Sequence, residues 1–96
     1  MPISDLVDTV RSIRQSHKSQ AEKSPTQVIG RDTESAFNKL LDDSKNKCPE
    51  HPYILKMQPV NSGRTQIAGL FAKLEVLENS LKSEESRILR SLSEKK

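Results

Sequence analysis

Length and composition indicate one small domain with a thin core. The chain has 96 residues, of which 32% are hydrophobic and 3% aromatic, and it carries 16 basic and 13 acidic side chains. Residues 1–96 are therefore expected to form a single domain. Leu, Ile, Val and Phe together number 23, just above the roughly 20% of a chain below which disorder is expected. We expect the chain to fold around few apolar side chains.

The same composition excludes several classes of protein. The single cysteine, Cys48, cannot form an internal disulfide framework or a cysteine-based zinc site. No apolar run approaches the roughly 20 residues of a membrane span, and Met1–Asp5 is unlike the charged start of a signal peptide. We therefore expect a soluble, intracellular protein that makes no membrane contact.

The charge pattern indicates a mixed, solvated surface. The formal net charge is +3, and acidic residues are interleaved with basic ones in every segment, as in Lys73-Leu74-Glu75. Nucleic-acid binding needs basic side chains clustered on one face, because affinity comes from neutralising several phosphates together. Nucleic acid is therefore a less favoured partner than protein.

The first predicted helix covers residues 3–22. Its apolar residues recur at the one-face spacing of a helix with 3.6 residues per turn. They are Ile3, Leu6, Val7, Val10 and Ile13. The stripe then gives way to His17 and Gln20, so only the N-terminal half of this helix is expected to be buried.

The second predicted helix covers residues 25–46. The Ser-Pro-Thr-Gln run that begins at Ser24 matches a capping box with proline at the first helical position. Gly30 weakens the helix interior by roughly 1 kcal/mol relative to alanine. A later start, capped by Asp32 or Thr33, is the alternative.

A proline-rich connector covers residues 47–63. It holds three of the five prolines, so a regular helix or a central strand is not expected. It also carries the apolar residues Tyr53, Ile54, Leu55, Met57 and Val60. A solvated linker does not need these side chains, so we expect an extended strap packed over its own helices. Docking on a partner chain is the alternative.

The third predicted helix covers residues 64–93 and is the strongest signal in the sequence. Its first core position in a seven-residue repeat is filled by Ile67, Leu74, Leu81 and Ile88. Its second is filled by Leu70 and Leu77 and is then lost at Glu84 and Ser91. Such a repeat is typical of helices that pack as a coiled coil. This helix would be roughly 45–50 Å long and the two shorter ones about 30 Å each.

The difference in length predicts an exposed apolar end. In a bundle made from one chain, Ile88, Leu89 and Leu92 would project past the two shorter helices. Leaving them exposed forgoes about 1.5–3 kcal/mol for each side chain. We therefore expect self-association or docking of another chain, with a frayed C-terminal turn as the alternative.

The sequence contains no evident catalytic or metal-binding set. Cys48 and His51 stand in a Cys-Pro-Glu-His run, but zinc needs four ligands and His17 is the only other imidazole. Catalysis by Cys48 with His51 as base lacks an orienting group and an oxyanion donor. We predict no enzymatic activity, no cofactor, no metal and no small-molecule substrate.

Together these patterns predict an all-α fold. We expect a small helical bundle or helical hairpin of about three helices, with a long coiled-coil-like C-terminal helix and an apolar connector. The predicted function is a non-enzymatic protein–protein interaction module (adaptor, scaffold or regulatory subunit) that binds a protein partner or forms a homo-oligomer. The predicted interface residues are Leu70, Leu74, Leu77, Leu81, Ile88 and Leu92, with Tyr53, Ile54 and Met57 as secondary contacts.

The alternative function is that of a helical nucleic-acid-associated regulatory factor that acts as an oligomer. Dimerisation would double the net charge and bring basic residues of two chains together. Those residues would be Arg11, Arg14, Lys18, Arg87, Arg90, Lys95 and Lys96.

Overall fold

The computed structural model describes residues 3–94, with side chains for residues 3–92. Within this range the chain forms four helices and no strand. They are α1 (Ile3–Lys23), α2 (Arg31–Lys47), α3 (Pro52–Lys56) and α4 (Ile67–Glu94). The predicted all-α bundle with a long C-terminal helix is confirmed.

The helices pack around the apolar face of α4. Helix α1 contacts α4 and α2, and the short α3 contacts α2 and α4. Contacts at the two ends show that α1 and α4 run antiparallel. Ile3 lines a groove with Ile88 at one end, and the Ala68 N–H donates to the Pro25 carbonyl (3.0 Å) at the other. The molecule measures 50 × 21 × 19 Å, with α4 along its greatest dimension.

Helix α1 is buried over its N-terminal half, as its pattern predicts. Ile3, Leu6, Val7 and Val10 belong to the core, and Ile13 packs at its edge. His17 lies where the stripe ends and connects two helices. Its ring nitrogens are 2.9 Å from the Ile13 carbonyl and 2.9 Å from the Thr33 hydroxyl of α2.

Helix α2 begins later than the predicted capping box, which is therefore wrong. The helix starts at Arg31, and its N-cap is Gly30, in an extended conformation and without a side-chain capping bond. The Ile29 N–H donates to the Thr65 carbonyl at 2.9 Å. This pairing with a distant segment favours extended backbone where the local signal favoured helix. The alternative later start is close to the observed one, although the cap precedes the two residues proposed for it.

The start of α4 is fixed by the same pairing. Val28 forms an antiparallel bridge with Gln66. The N–H groups of Ile67 and Ala68 donate to carbonyls of the α1–α2 loop at 2.8 and 3.0 Å. The first N–H groups of a helix have no partner within it, and here backbone carbonyls supply two of the missing acceptors. Helix α4 therefore begins at Ile67, after the predicted residue 64.

The connector packs on its own chain, and it contains α3. Ile54, Met57 and Val60 point into the core. The side-chain amide of Asn38 in α2 holds the backbone of Val60 from both sides. Asn38 Nδ2 donates to the Val60 carbonyl (3.0 Å), and the Val60 N–H donates to Asn38 Oδ1 (2.9 Å). The expectation that the connector packs over the chain's own helices is correct. The expectation that it contains no regular helix is wrong, because Pro52 stands at the start of α3, where a missing N–H costs no helical hydrogen bond.

Two further polar contacts attach the connector to the helices. Lys73 Nζ of α4 donates to the Gln58 carbonyl at 3.1 Å. The Glu34 carboxylate of α2 accepts the Ser62 N–H, and this bond lowers the pKa of Glu34. The turn at this point has Gly63 at φ 78°, a conformation that favours glycine.

Candidate interaction surfaces

The predicted interface row of α4 is buried inside the chain over most of its length. Leu70, Leu74, Leu77 and Leu81 have no exposed surface. In this conformation these four residues cannot contact another chain, which corrects the interface prediction for them. The physical reason is that α1 packs along α4, with α3 beside it, so the seven-residue repeat marks the core of the chain itself.

The row loses this cover at the C-terminal end of α4. Ile88 packs at the edge of the core, whereas Leu89 and Leu92 are 61% and 57% exposed. Ile3 of α1 and Lys47 of α2 line a shallow groove of about 230 Å³ together with Ile88 and Leu89. The described part of α1 and the end of α2 are therefore level with this groove. Helix α4 continues for about 9 Å beyond Ile88 at 1.5 Å per residue.

We call Ile88, Leu89 and Leu92 the apolar tip. The length mismatch predicted these three residues as the ones left over, and the exposed fractions agree for Leu89 and Leu92. Ile88 is half-buried instead of fully projecting, because the start of α1 reaches it.

Helix α3 places the secondary contact residues of the connector on different sides, some towards the core and one towards solvent. Ile54 and Met57 are buried in the core, which corrects the prediction that they form a docking loop. Tyr53 is 70% exposed, and its ring centroid lies 6.0 Å from that of His51. Of the three, only Tyr53 is available to a partner.

A second surface lies between α1 and α4 and collects basic side chains. This basic groove is lined by Arg11, Arg14, Gln15, Lys18 and Phe71 and has a volume of about 370 Å³. Positions three and seven residues apart share one side of a helix. The sequence alone therefore groups the three basic residues. Phe71 lies 53 or more residues away in the chain, and only the packing of α4 against α1 brings it there.

The carboxylate of Glu78 anchors the basic groove. Its side chain is only 9% exposed, and it forms an ion pair with Arg14. Lys82 Nζ lies 2.8 Å from Glu78 Oε2, and Arg11 Nε lies 3.7 Å from the same oxygen. Glu78 thus ties α1 to α4 while it leaves an excess of positive charge. The sequence did not identify this residue, because a glutamate next to an apolar helix row is ordinarily an exposed surface residue.

The other basic residues of the alternative function lie elsewhere. Arg87 pairs with Glu84, and the hydrogen bond from Arg87 lowers the pKa of that carboxyl. From Glu78 to Arg87 a helix makes about two and a half turns, so Arg87 is on the opposite side of α4 from the basic groove. One continuous basic patch therefore does not form within a single chain. Lys95 and Lys96 lie outside the described residues.

Cys48 packs in the core at the end of α2. It is buried, and burial raises the pKa of its thiol, which disfavours the reactive thiolate. Within residues 3–94, no three His, Cys, Asp or Glu side chains are grouped so that they can hold a metal ion. The arrangement of Cys48 is that of a packing residue.

Comparisons with protein-family models, with curated proteins and with solved structures give no significant match. Among the described residues, none of the helices has the length and apolar character needed to cross a membrane. Two surfaces then distinguish the molecule, namely the apolar tip and the basic groove.

Proposed function

We propose that the chain is a non-enzymatic interaction module that associates with a second copy of itself through the apolar tip. The observation that carries this proposal is that apolar residues continue along α4 beyond the buried Leu81 and end in two leucines that are more than half exposed. The end of α4 that projects beyond the core of one chain would then pack against the same end of another.

A twofold arrangement gives a role both to the groove beside Ile88 and to the projecting side chain of Leu92. When two α4 ends pair antiparallel about an axis near Arg90, Leu92 of each copy lies opposite Ile88 of the other. The groove between Ile3 and Ile88 supplies a concave site, and Leu92 supplies the projecting side chain. An interface of this kind is self-complementary, so each contact occurs twice.

The exposed area makes this association weak. Covering a leucine that is about 60% exposed is worth about 1–2 kcal/mol, and the dimer covers four such side chains. Association also costs translational and rotational freedom, and typical stable interfaces cover about 800 Å² on each partner. We therefore expect dissociation constants in the range of roughly 0.1–1 mM.

The proposal assigns no catalytic role to the chain. The one thiol is buried with a raised pKa. A nucleophile needs an activating base and an accessible position, and Cys48 lacks the second. An interaction role is the function that the described side chains support best.

Sedimentation equilibrium of the full chain tests the proposal. The double variant Leu89→Ser/Leu92→Ser should remain monomeric at concentrations at which the unchanged protein forms dimers. The matched control is Leu55→Ser/Val76→Ser, since these residues are 44% and 47% exposed at other positions. The control should dimerise like the unchanged protein.

Two results would contradict the proposal. One is an unchanged protein that stays monomeric up to about 1 mM. The other is an equal loss of association in both double variants. Circular dichroism of each variant shows that the bundle is still folded, so loss of association is not confused with loss of structure.

A further inference from the structure

We propose that the basic groove binds single-stranded nucleic acid, with Arg11, Arg14 and Lys18 contacting phosphates and Phe71 stacking on a base. This site is independent of the apolar tip and does not rest on self-association. The alternative function predicted from the sequence also used the basic residues of α1. The site proposed here keeps those residues and does not use the basic residues at the end of α4.

The charge around the groove carries the first part of the argument. Arg11, Arg14 and Lys82 lie around the single carboxylate of Glu78, and Lys18 lines the same groove. Among the described residues, no other carboxylate lies within ion-pair distance of these four cations. Four cations against one carboxylate leave three positive charges. That excess equals the formal net charge of the whole chain, +3, so the remainder of the molecule is balanced.

The geometry of the cations carries the second part. Arg11 and Lys18 are seven residues apart on one helix face, which separates them by about 10 Å along the axis. At the roughly 3.4 Å axial rise of a stacked strand, this distance covers about three nucleotides. Arg14, which pairs with the buried Glu78, is held in place before a ligand arrives. The three cations therefore form a row along α1, in which Arg14 is held by Glu78.

The aromatic ring distinguishes nucleic acid from other anions. Phe71 is half-buried and lines the groove beside the cations. Single-strand binding sites combine a positive groove with an aromatic side chain on which a base stacks. An acidic protein helix would use the cations but would gain only an ordinary apolar contact from the ring. A polynucleotide uses both, and this favours it as the ligand.

Fluorescence anisotropy of a labelled oligothymidylate, added to the full chain, tests this inference. Three phosphate contacts predict that log K falls with log salt concentration with a slope of about −2. Between about 50 and 200 mM salt the affinity should then fall roughly 20-fold. Absence of binding at the lower salt concentration, or a slope near zero, would overturn the proposal.

Two variants separate the phosphate contacts from the stacking contact. Lys18→Gln should reduce the salt slope by about 0.7. Phe71→Leu should weaken binding by about fivefold or more while the slope stays unchanged, since no charge is removed. The matched control is Lys56→Gln, because Lys56 is an exposed cation on α3, and it should bind like the unchanged protein.

Three further outcomes would overturn the assignment. Equal losses in Lys18→Gln and Lys56→Gln would show attraction by net charge alone. Unaltered affinity in Phe71→Leu would remove the stacking contact. A glutamate-rich peptide that binds as tightly as the oligonucleotide would identify an acidic protein as the ligand. If Phe71→Leu fails to fold by circular dichroism, the Lys18→Gln slope still tests the phosphate contacts.

Discussion

Glu78 of α4 pairs with two arginines of α1. Its carboxylate is nearly buried and is the centre of three ion pairs. Glu78→Gln should lower the free energy of unfolding by about 2 kcal/mol, because the ion pairs of a nearly buried carboxylate are lost and the cations remain beside one another. Urea denaturation measures this change.

The control for this prediction is Glu75→Gln on the same helix. Glu75 is exposed, and exposed substitutions usually change stability by less than about 0.5 kcal/mol. Equal effects of the two substitutions would show that the ion pairs of Glu78 add nothing to the stability of the bundle.

Cys48 predicts a pH dependence at the alkaline end. Burial raises the pKa of its thiol in the folded protein, so the folded state binds the thiol proton more tightly than the unfolded state does. The corresponding stability is fully present below the unfolded pKa of about 8.5 and is lost as the pH rises through the folded pKa. Thermal melts at rising pH should show a steeper decline for the unchanged protein than for Cys48→Ala. Parallel declines would show that the thiol titrates normally.

At the scale of elements, Asn38 attaches the connector to α2. Its amide makes two hydrogen bonds to the backbone of Val60, a residue that is 1% exposed. Asn38→Ala should destabilise the protein by roughly 1–3 kcal/mol, because a buried N–H and C=O lose their partners. The amide hydrogen of Val60 should also exchange faster. Asn79→Ala, at an exposed position of α4, is the control and should change neither quantity.

Helix α4 should have a stable part and a tip that contributes little to the single chain. Leu81 is fully buried and Leu92 is 57% exposed. Leu81→Ala should cost roughly 2–5 kcal/mol, whereas Leu92→Ala should cost less than about 0.5 kcal/mol in dilute protein. Urea denaturation at low micromolar concentration measures both. Similar costs would mean that the row is covered equally along its length.

Periodicity predicted the elements whose signal is local. The apolar spacing from Ile3 to Ile13 and from Ile67 to Ile88 is sufficient to predict α1 and α4, because burial of one helix face leaves a repeat in the sequence. The starts of α2 and α4 depend instead on backbone pairing between Val28 and Gln66. Main-chain hydrogen bonds between distant segments leave no side-chain pattern, so the capping box was a misleading signal.

The candidate surfaces were predictable only in part, because they depend on contacts between distant segments. A seven-residue repeat predicts that a row is buried, but it does not say what covers the row. Leu74 and Leu77 are therefore core residues here although their spacing is also that of an interface. Glu78 and Phe71 acquire their roles from α1, which lies far away in the sequence.

At the scale of the whole molecule, one long helix gives the bundle its shape. The radius of gyration is 14.3 Å, above the roughly 13 Å of a compact chain of this length. The elongation leaves the apolar tip at one end and the basic groove along one side. Two surfaces of different chemistry are therefore separate, and each can be occupied while the other is free.

Packing of the apolar tip against a second copy of the chain would change the surroundings of its methyl groups. Carbon–hydrogen correlation spectra of the Ile and Leu methyl groups, recorded from about 20 µM to 1 mM protein, test it most directly. Association through the tip predicts shifts that change with concentration at Ile3, Ile88, Leu89 and Leu92, while those of Leu74 and Leu77 stay constant. Shifts that are independent of concentration, or that change at other methyl groups only, would contradict it.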